Sequence, residues 1–189
     1  MQDLSLHLLD VLENSARAGA SLIQIIISAD EKNNILSFKI TDNGSGMNEE
    51  TLSSAQNPFY TSKASRKKKV GLGIPLFKQN AELCEGSFSM KSELGEGTII
   101  EVTFKINHID RMPVGSLADT IISSVIGHSE TDYYLHILHN TQDQTFDYKF
   151  DTRLLREELG DIPLTYPDVM QYIDQVINNG VKNTKMGEI

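Results

Sequence analysis

ILSFKITDNGSGM, residues 35–47, joins an alternating apolar and polar run to an acidic, glycine-rich turn. Leu36, Phe38 and Ile40 are apolar while Ser37, Lys39 and Thr41 between them are polar, the two-residue period of a strand with one face in a core. Asp42 stands at the end of that strand. Asn43-Gly44-Ser45-Gly46 then supplies residue types that tolerate tight turning and close backbone approach. Asp-Asn-Gly clusters are also ordinary turn formers, so the stretch takes its meaning from what surrounds it.

Upstream, LIQIIIS (22–28) reads as a second strand, joined to the first by the polar turn DEKNN. Before it, residues 3–18 have helical period, with Leu4, Leu8, Val11, Leu12 and Ser15 on one side and Gly19 as the stop. Asp3, His7, Asp10, Asn14 and Arg17 fall within an arc of about 80° on the opposite side. Taken alone, such a stripe is the wet side of a surface helix. Downstream, Asn48 caps a short helix over 48–55, and Gln56 to Lys69 shows no period. VGLGIPLFKQNAELCEG (70–86) is a glycine turn followed by a helix that stops at Gly86, with Pro75 tolerated in the first turn. SFSMKSE and TIIEVTFKI are strands around Leu94-Gly95-Glu96-Gly97. The order α-β-β-α-loop-α-β-β predicts helices over one face of a mixed sheet, an α/β sandwich over residues 1–108.

The pattern resets near Arg111. LADTIISSVIG reads as a helix, YYLHILHN and TFDYKFD as a hairpin, and two further helices are expected near 153–159 and 167–179. Residues 109–189 are thus expected to form a small α+β unit of their own. Its apolar helices suit core packing, with a docking or dimerising surface as the alternative.

A net charge of -9 disfavours nonspecific binding to nucleic acid or to anionic membranes, whose phosphates the long-range field repels. Arg66, Lys67, Lys68 and Lys69 are the local exception. No run has the length and apolarity of a membrane span, and the acidic N-terminus does not read as a signal peptide, so a cytoplasmic protein is expected. Cys84 is the one cysteine and reads as a core thiol. His136 and His139 lie an odd number of residues apart on a strand, so they face opposite sides and do not pair as metal ligands.

HLLDVLENSARAGAS (7–21) resembles the N-box of the ATPase superfamily that contains gyrase, the heat-shock chaperone, histidine kinases and MutL: a carboxylate, three residues, then Asn, followed by Ala-Gly-Ala. Asp42-Asn43-Gly44-Ser45-Gly46-Met47 resembles its G1 box, Gly71-Leu72-Gly73 its G2 box, and Gly95-Glu96-Gly97-Thr98 its final glycine box. Asn57-Pro58-Phe59-Tyr60-Thr61-Ser62-Lys63 resembles the segment before the ATP lid of histidine kinases.

The resemblance covers residues 4–106 and implies a Bergerat-type two-layer sandwich binding ATP with Mg²⁺. By it, Asn14 would ligate the metal and Asp10 would orient the attacking group. Asp42 would accept a hydrogen bond from the adenine amine, Gly44 and Gly46 would let the backbone pass beneath the base, and Met47 would pack on the purine. Gly71, Leu72 and Gly73 would present backbone N–H groups to the phosphates at a helix N-terminus, Lys63 would add a charge from the lid, and Thr98 would help hold adenine. Hydrolytic members carry Glu where this chain has Asp10, which is shorter by one C–C bond of about 1.5 Å. A slow ATPase or nucleotide-dependent switch acting on a protein partner is therefore expected. Phosphotransfer in trans to a partner Ser or His, and a non-catalytic nucleotide-binding module, are the alternatives. The chain starts almost at the N-box and has no His-Glu or His-Asp pair, which argues against phosphorylation in cis.

Overall fold

The structure, a computed structural model, describes residues 3–56 and 73–189. Helix α1 (Leu4–Arg17) leads into the hairpin β1 (Leu22–Asp30) and β2 (Ile35–Asp42), then α2 (Glu49–Ala55) and α3 (Gly73–Leu83). The hairpin β3 (Ser87–Glu93) and β4 (Gly97–Lys105) follows. After it come α4 (Leu117–Gly127), β5 (Asp132–Asn140), β6 (Thr145–Asp151), α5 (Thr152–Leu159) and α6 (Pro167–Asn183). A 3-10 turn at Met186–Glu188 closes the chain.

Six strands form one sheet in the order β3-β4-β2-β1-β5-β6, antiparallel at every neighbour except the parallel pair β1–β5. Alternation sorts the strands by face. Ile23, Ile25, Ile27, Phe38, Ile40, Ile100, Val102, Leu135 and Ile137 are all buried, and their registers stack them on one side. Helices α3, α1, α4 and α6 pack side by side across that face. Phe77 of α3 meets Phe38 edge-on at 5.7 Å and Phe104 at 5.8 Å, which fixes α3 on the sheet. The other face is polar in its centre, with Lys39 and Glu101 paired at 2.8 Å and the Ser28 and Ser37 hydroxyls 2.6 Å apart.

The cap of α2 and the stop of α1 agree with the sequence, while Asp3, read as part of the polar stripe of α1, is its cap. Asp3 and Asn48 cap α1 and α2 by accepting from the N–H groups of Leu6 and Thr51, and Gly19 follows α1 with φ +79°. The segment 109–189, expected as a small α+β unit, has the expected helices and hairpin. Its strands are not set apart, however: β5 lies beside β1 over its whole length, and α4 packs against α1. Parallel neighbours need a long crossover, and residues 106–131 with α4 provide it between β4 and β5.

A chain ending at residue 108 would leave the nine residues of β1 as an open apolar edge. Such a truncation is expected to self-associate on size exclusion and to melt well below the full chain. A monomeric truncation with an unchanged melting temperature would instead show two independent domains.

Candidate nucleotide-binding site

Asp42 is the last residue of β2, and its side chain is buried at 7% exposure. Removing a carboxylate from water costs several kcal/mol unless donors replace the solvent. Ser15 Oγ donates to Oδ2 at 2.6 Å, a short charge-assisted bond, and the N–H of Gly44 donates to Oδ1 at 2.9 Å. A carboxylate has about four acceptor positions. Two are filled by the protein, so Asp42 is fixed in place and keeps acceptor capacity on both oxygens.

The turn after Asp42 is stitched to its neighbours on two sides. Toward α1, Asn43 Oδ1 accepts from the N–H groups of Ser21 and Leu22, both at 3.0 Å, and the Ser45 N–H donates to the Ala18 carbonyl at 2.9 Å. Toward the β3–β4 hairpin, the Gly95 N–H donates to the Ser45 carbonyl at 2.8 Å. Ser92 Oγ accepts from the Met47 N–H at 2.9 Å, donates to the Gly97 carbonyl at 2.8 Å, and lies 3.0 Å from Thr98 Oγ1. A hydroxyl has one proton, so Thr98 must be the donor in that last contact. Gly46 (φ +63°) and Gly97 (φ +112°) are needed here for two reasons. Their backbones are left-handed, and a Cβ would fall 1.8 Å from the Glu93 carbonyl oxygen and 2.0 Å from that of Asp42.

Thr98 pairs with Asp42 across β2 and β4 and is itself buried. The first and last glycine boxes therefore meet at one carboxylate. Met47 is half-buried against the core.

Asp10 and Asn14 lie one turn apart on α1, Asp10 exposed and Asn14 half-buried. Neither side chain hydrogen-bonds to another described residue. Gly73 opens α3 directly against Asp10, where a Cβ would fall 2.3 Å from Asp10 Cβ. The N-box helix and the start of the α3 helix thus share a contact that only glycine permits. Gly71, Leu72, Lys63, the rest of the Asn57–Lys63 segment and the basic run 66–69 lie outside the described residues. Among the described residues no group of three or more His, Cys, Asp or Glu is arranged as a metal cluster. Magnesium held by one side chain, water and phosphate would not form one.

The polar stripe on α1 is not uniformly wet. His7 is buried, stacked on Phe77 at 5.7 Å, with Asn80 Nδ2 2.9 Å from its Nε2. Helix α3 covers that part of the arc. Burial lowers the His7 pKa below 6.5, outweighing the raising influence of Asp10 and Asp3. The ring is therefore held neutral with Nε2 as acceptor.

Ser15 and Ser92, which hold Asp42 and its turn, are given no such role by the sequence, and Asn43 is read there only as part of the glycine turn. A signal existed for the first: Ser15 was the one polar residue on the leucine face of α1. Nothing local marks Ser92, whose role arises only from the hairpin register.

Residues 2–108 match the family of histidine kinase-, DNA gyrase B- and HSP90-like ATPases, and the chain belongs to that family. Its sheet and helix layer are the Bergerat-type two-layer α/β fold, and its first part is an ATP-binding module of this family. The sensor histidine kinase YvrG of Bacillus subtilis (strain 168) is 30% identical over 98 residues, covering 51% of this chain and 17% of that protein. The cell-division control histidine kinase PdhS of Brucella ovis is 31% identical over 108 residues, covering 51% of this chain and 10% of that protein. The chain thus spans less than a fifth of the length of these curated relatives. The Aquifex aeolicus MutL ATPase domain complexed with ADP superposes with a TM-score of 0.48 at 12% identity, over 72% of this chain and 60% of that one.

Ser15→Ala is expected to lower stability by about 1–3 kcal/mol in urea, because Asp42 Oδ2 loses its only donor among the described residues. His7 gives a pH dependence of definite sign. Its pKa is lower in the native state than the ordinary 6.5, so the unfolded chain binds more protons between the two values. The stability it contributes is present above pH 6.5 and is lost as pH falls toward the native value. Urea titrations of the parent and of His7→Gln between about pH 5 and 8 should diverge with that sign, and parallel curves would contradict it.

Proposed function

We propose that the chain binds Mg-ATP and acts as a slow ATPase or nucleotide-dependent switch that changes how it meets a protein partner. The observation that carries this reading is Asp42, a buried carboxylate held by Ser15 and Gly44 with acceptor capacity left on both oxygens. In this role Asp42 accepts a hydrogen bond from the adenine amine, and Thr98 and Met47 line the same end of the sheet. Asp10, which packs against the first residue of α3, would orient a water or hydroxyl for attack on the terminal phosphate. Gly71, Leu72 and Gly73 offer backbone N–H groups to the phosphates, and Lys63 adds a positive charge.

The donors also suit magnesium, a hard cation that prefers oxygen, because the amide of Asn14 has no other partner among the described residues. Bound through Asn14, magnesium would offset phosphate charge. Residues 1–108 form the nucleotide-binding part and 109–189 an extension for a partner or a second copy. No helix of the described residues is long and apolar enough to cross a membrane. We place the protein in the cytoplasm, with no nucleic acid or membrane as partner.

Phosphotransfer in trans to a partner Ser or His is the second reading. It is favoured by the names of the matched relatives, which are histidine kinases. The short reach of Asp10 keeps a non-catalytic module as a third.

Incubation with γ-labelled ATP, alone and with candidate partner proteins, separates them. Free phosphate is the expected product, label on a partner supports the kinase, and binding with neither supports the module. Asp10→Asn should retain binding and lose turnover by at least about tenfold, as expected for loss of a general base. Asp42→Asn should abolish binding. If Asp42→Asn bound ATP as tightly as the parent, the assignment of the adenine carboxylate would be wrong.

A further inference from the structure

Between α1 and β1 lies a short loop, residues 18–21, that is gripped from both sides. One side is the turn after Asp42, through Asn43 and Ser45 as described. The other is the corner between α4 and β5, from the C-terminal part of the chain. Thr131, 5% exposed, donates from Oγ1 to the Ala20 carbonyl at 3.0 Å, and the neighbouring Asp132 N–H donates to the Ser21 carbonyl at 2.9 Å. The Ala20 N–H in turn donates to the Ser15 carbonyl at 3.2 Å, and Ser15 Oγ holds Asp42. Three hydrogen bonds therefore connect Thr131 to the buried carboxylate. The same corner also grips the helix itself. The His128 ring lies 3.2 Å from Glu13 Oε2, one residue before Asn14.

We infer that Thr131 is a positioning residue for the nucleotide site, acting through the loop 18–21 to set where α1 stops and hence where Ser15 and Asn14 stand. Thr131 touches neither nucleotide nor metal in this scheme. Its hydroxyl fixes the Ala20 carbonyl, and a loop pinned on both sides has no slack to absorb a shift at one of them. The extension 109–189 thereby becomes part of the site's support. By linkage, nucleotide binding must tighten the α4–β5 corner as much as the corner favours nucleotide. This inference rests on the ATP-binding reading above.

The test is calorimetric titration of the full chain with Mg-ATP and with Mg-GTP, for the parent, Thr131→Val and Thr131→Ser. Valine keeps the shape and removes the donor. It should weaken ATP binding roughly fivefold, the worth of about one hydrogen bond. It should also reduce the preference for ATP over GTP, because Asp42 is the group that distinguishes the adenine amine. Serine should restore both. A merely structural role would lower stability in urea and leave the ATP/GTP preference unchanged. Thr131→Val that binds ATP like the parent, with the same preference, overturns the inference. A folded parent that binds no ATP overturns the functional reading instead. Should Thr131→Val fail to fold, amide exchange of the unmutated protein decides. Mg-ATP should slow exchange of the Asp132 N–H, and protection at Gly44 with none at Asp132 contradicts the coupling.

Discussion

A carboxylate at the inner end of a core strand persists only where donors replace the water it has lost. Asp42 meets that condition with a hydroxyl from α1 at 2.6 Å and a backbone N–H from its own turn at 2.9 Å. The bond from Ser15 joins the helical layer to the sheet at the point where the strand ends. The positions of Asn14 and Asp10 follow from it, because the rigid helix that supplies the hydroxyl also carries them. The β3–β4 hairpin closes the same point from the other side, through Ser92, Gly97 and Thr98.

The second constraint is the parallel pairing of β1 with β5. It turns the central hairpin into the middle of a six-stranded sheet and brings α4 alongside α1. The C-terminal residues thereby complete the core under the N-box helix. A family module that matches residues 2–108 is in this chain one part of a larger sheet.

Much of this was legible because it is local. Alternation of Leu36, Phe38 and Ile40 gave the strand and its buried face, the cap at Asn48 followed from side-chain chemistry, and the glycine boxes marked close backbone approaches. What was not legible depends on which element comes to lie beside which. His7 stood on a polar arc, and only the arrival of α3 with Phe77 and Asn80 buries it. The place of β5 next to β1 has no signature in β5 itself. Ser15 was conspicuous on the leucine face, yet its partner is 27 residues away in sequence.

The central claim is that the buried, hydrogen-bonded Asp42 recognises adenine in Mg-ATP. Titration of the folded chain with Mg-ATP is the sharpest check, following the amide signals of Gly44, whose N–H donates to Asp42, and of Ser15, whose hydroxyl does. Saturable shifts of both signals are expected, which Mg-GTP at the same concentration does not reproduce. Signals that stay put throughout the ATP titration, or that respond equally to both nucleotides, would contradict it.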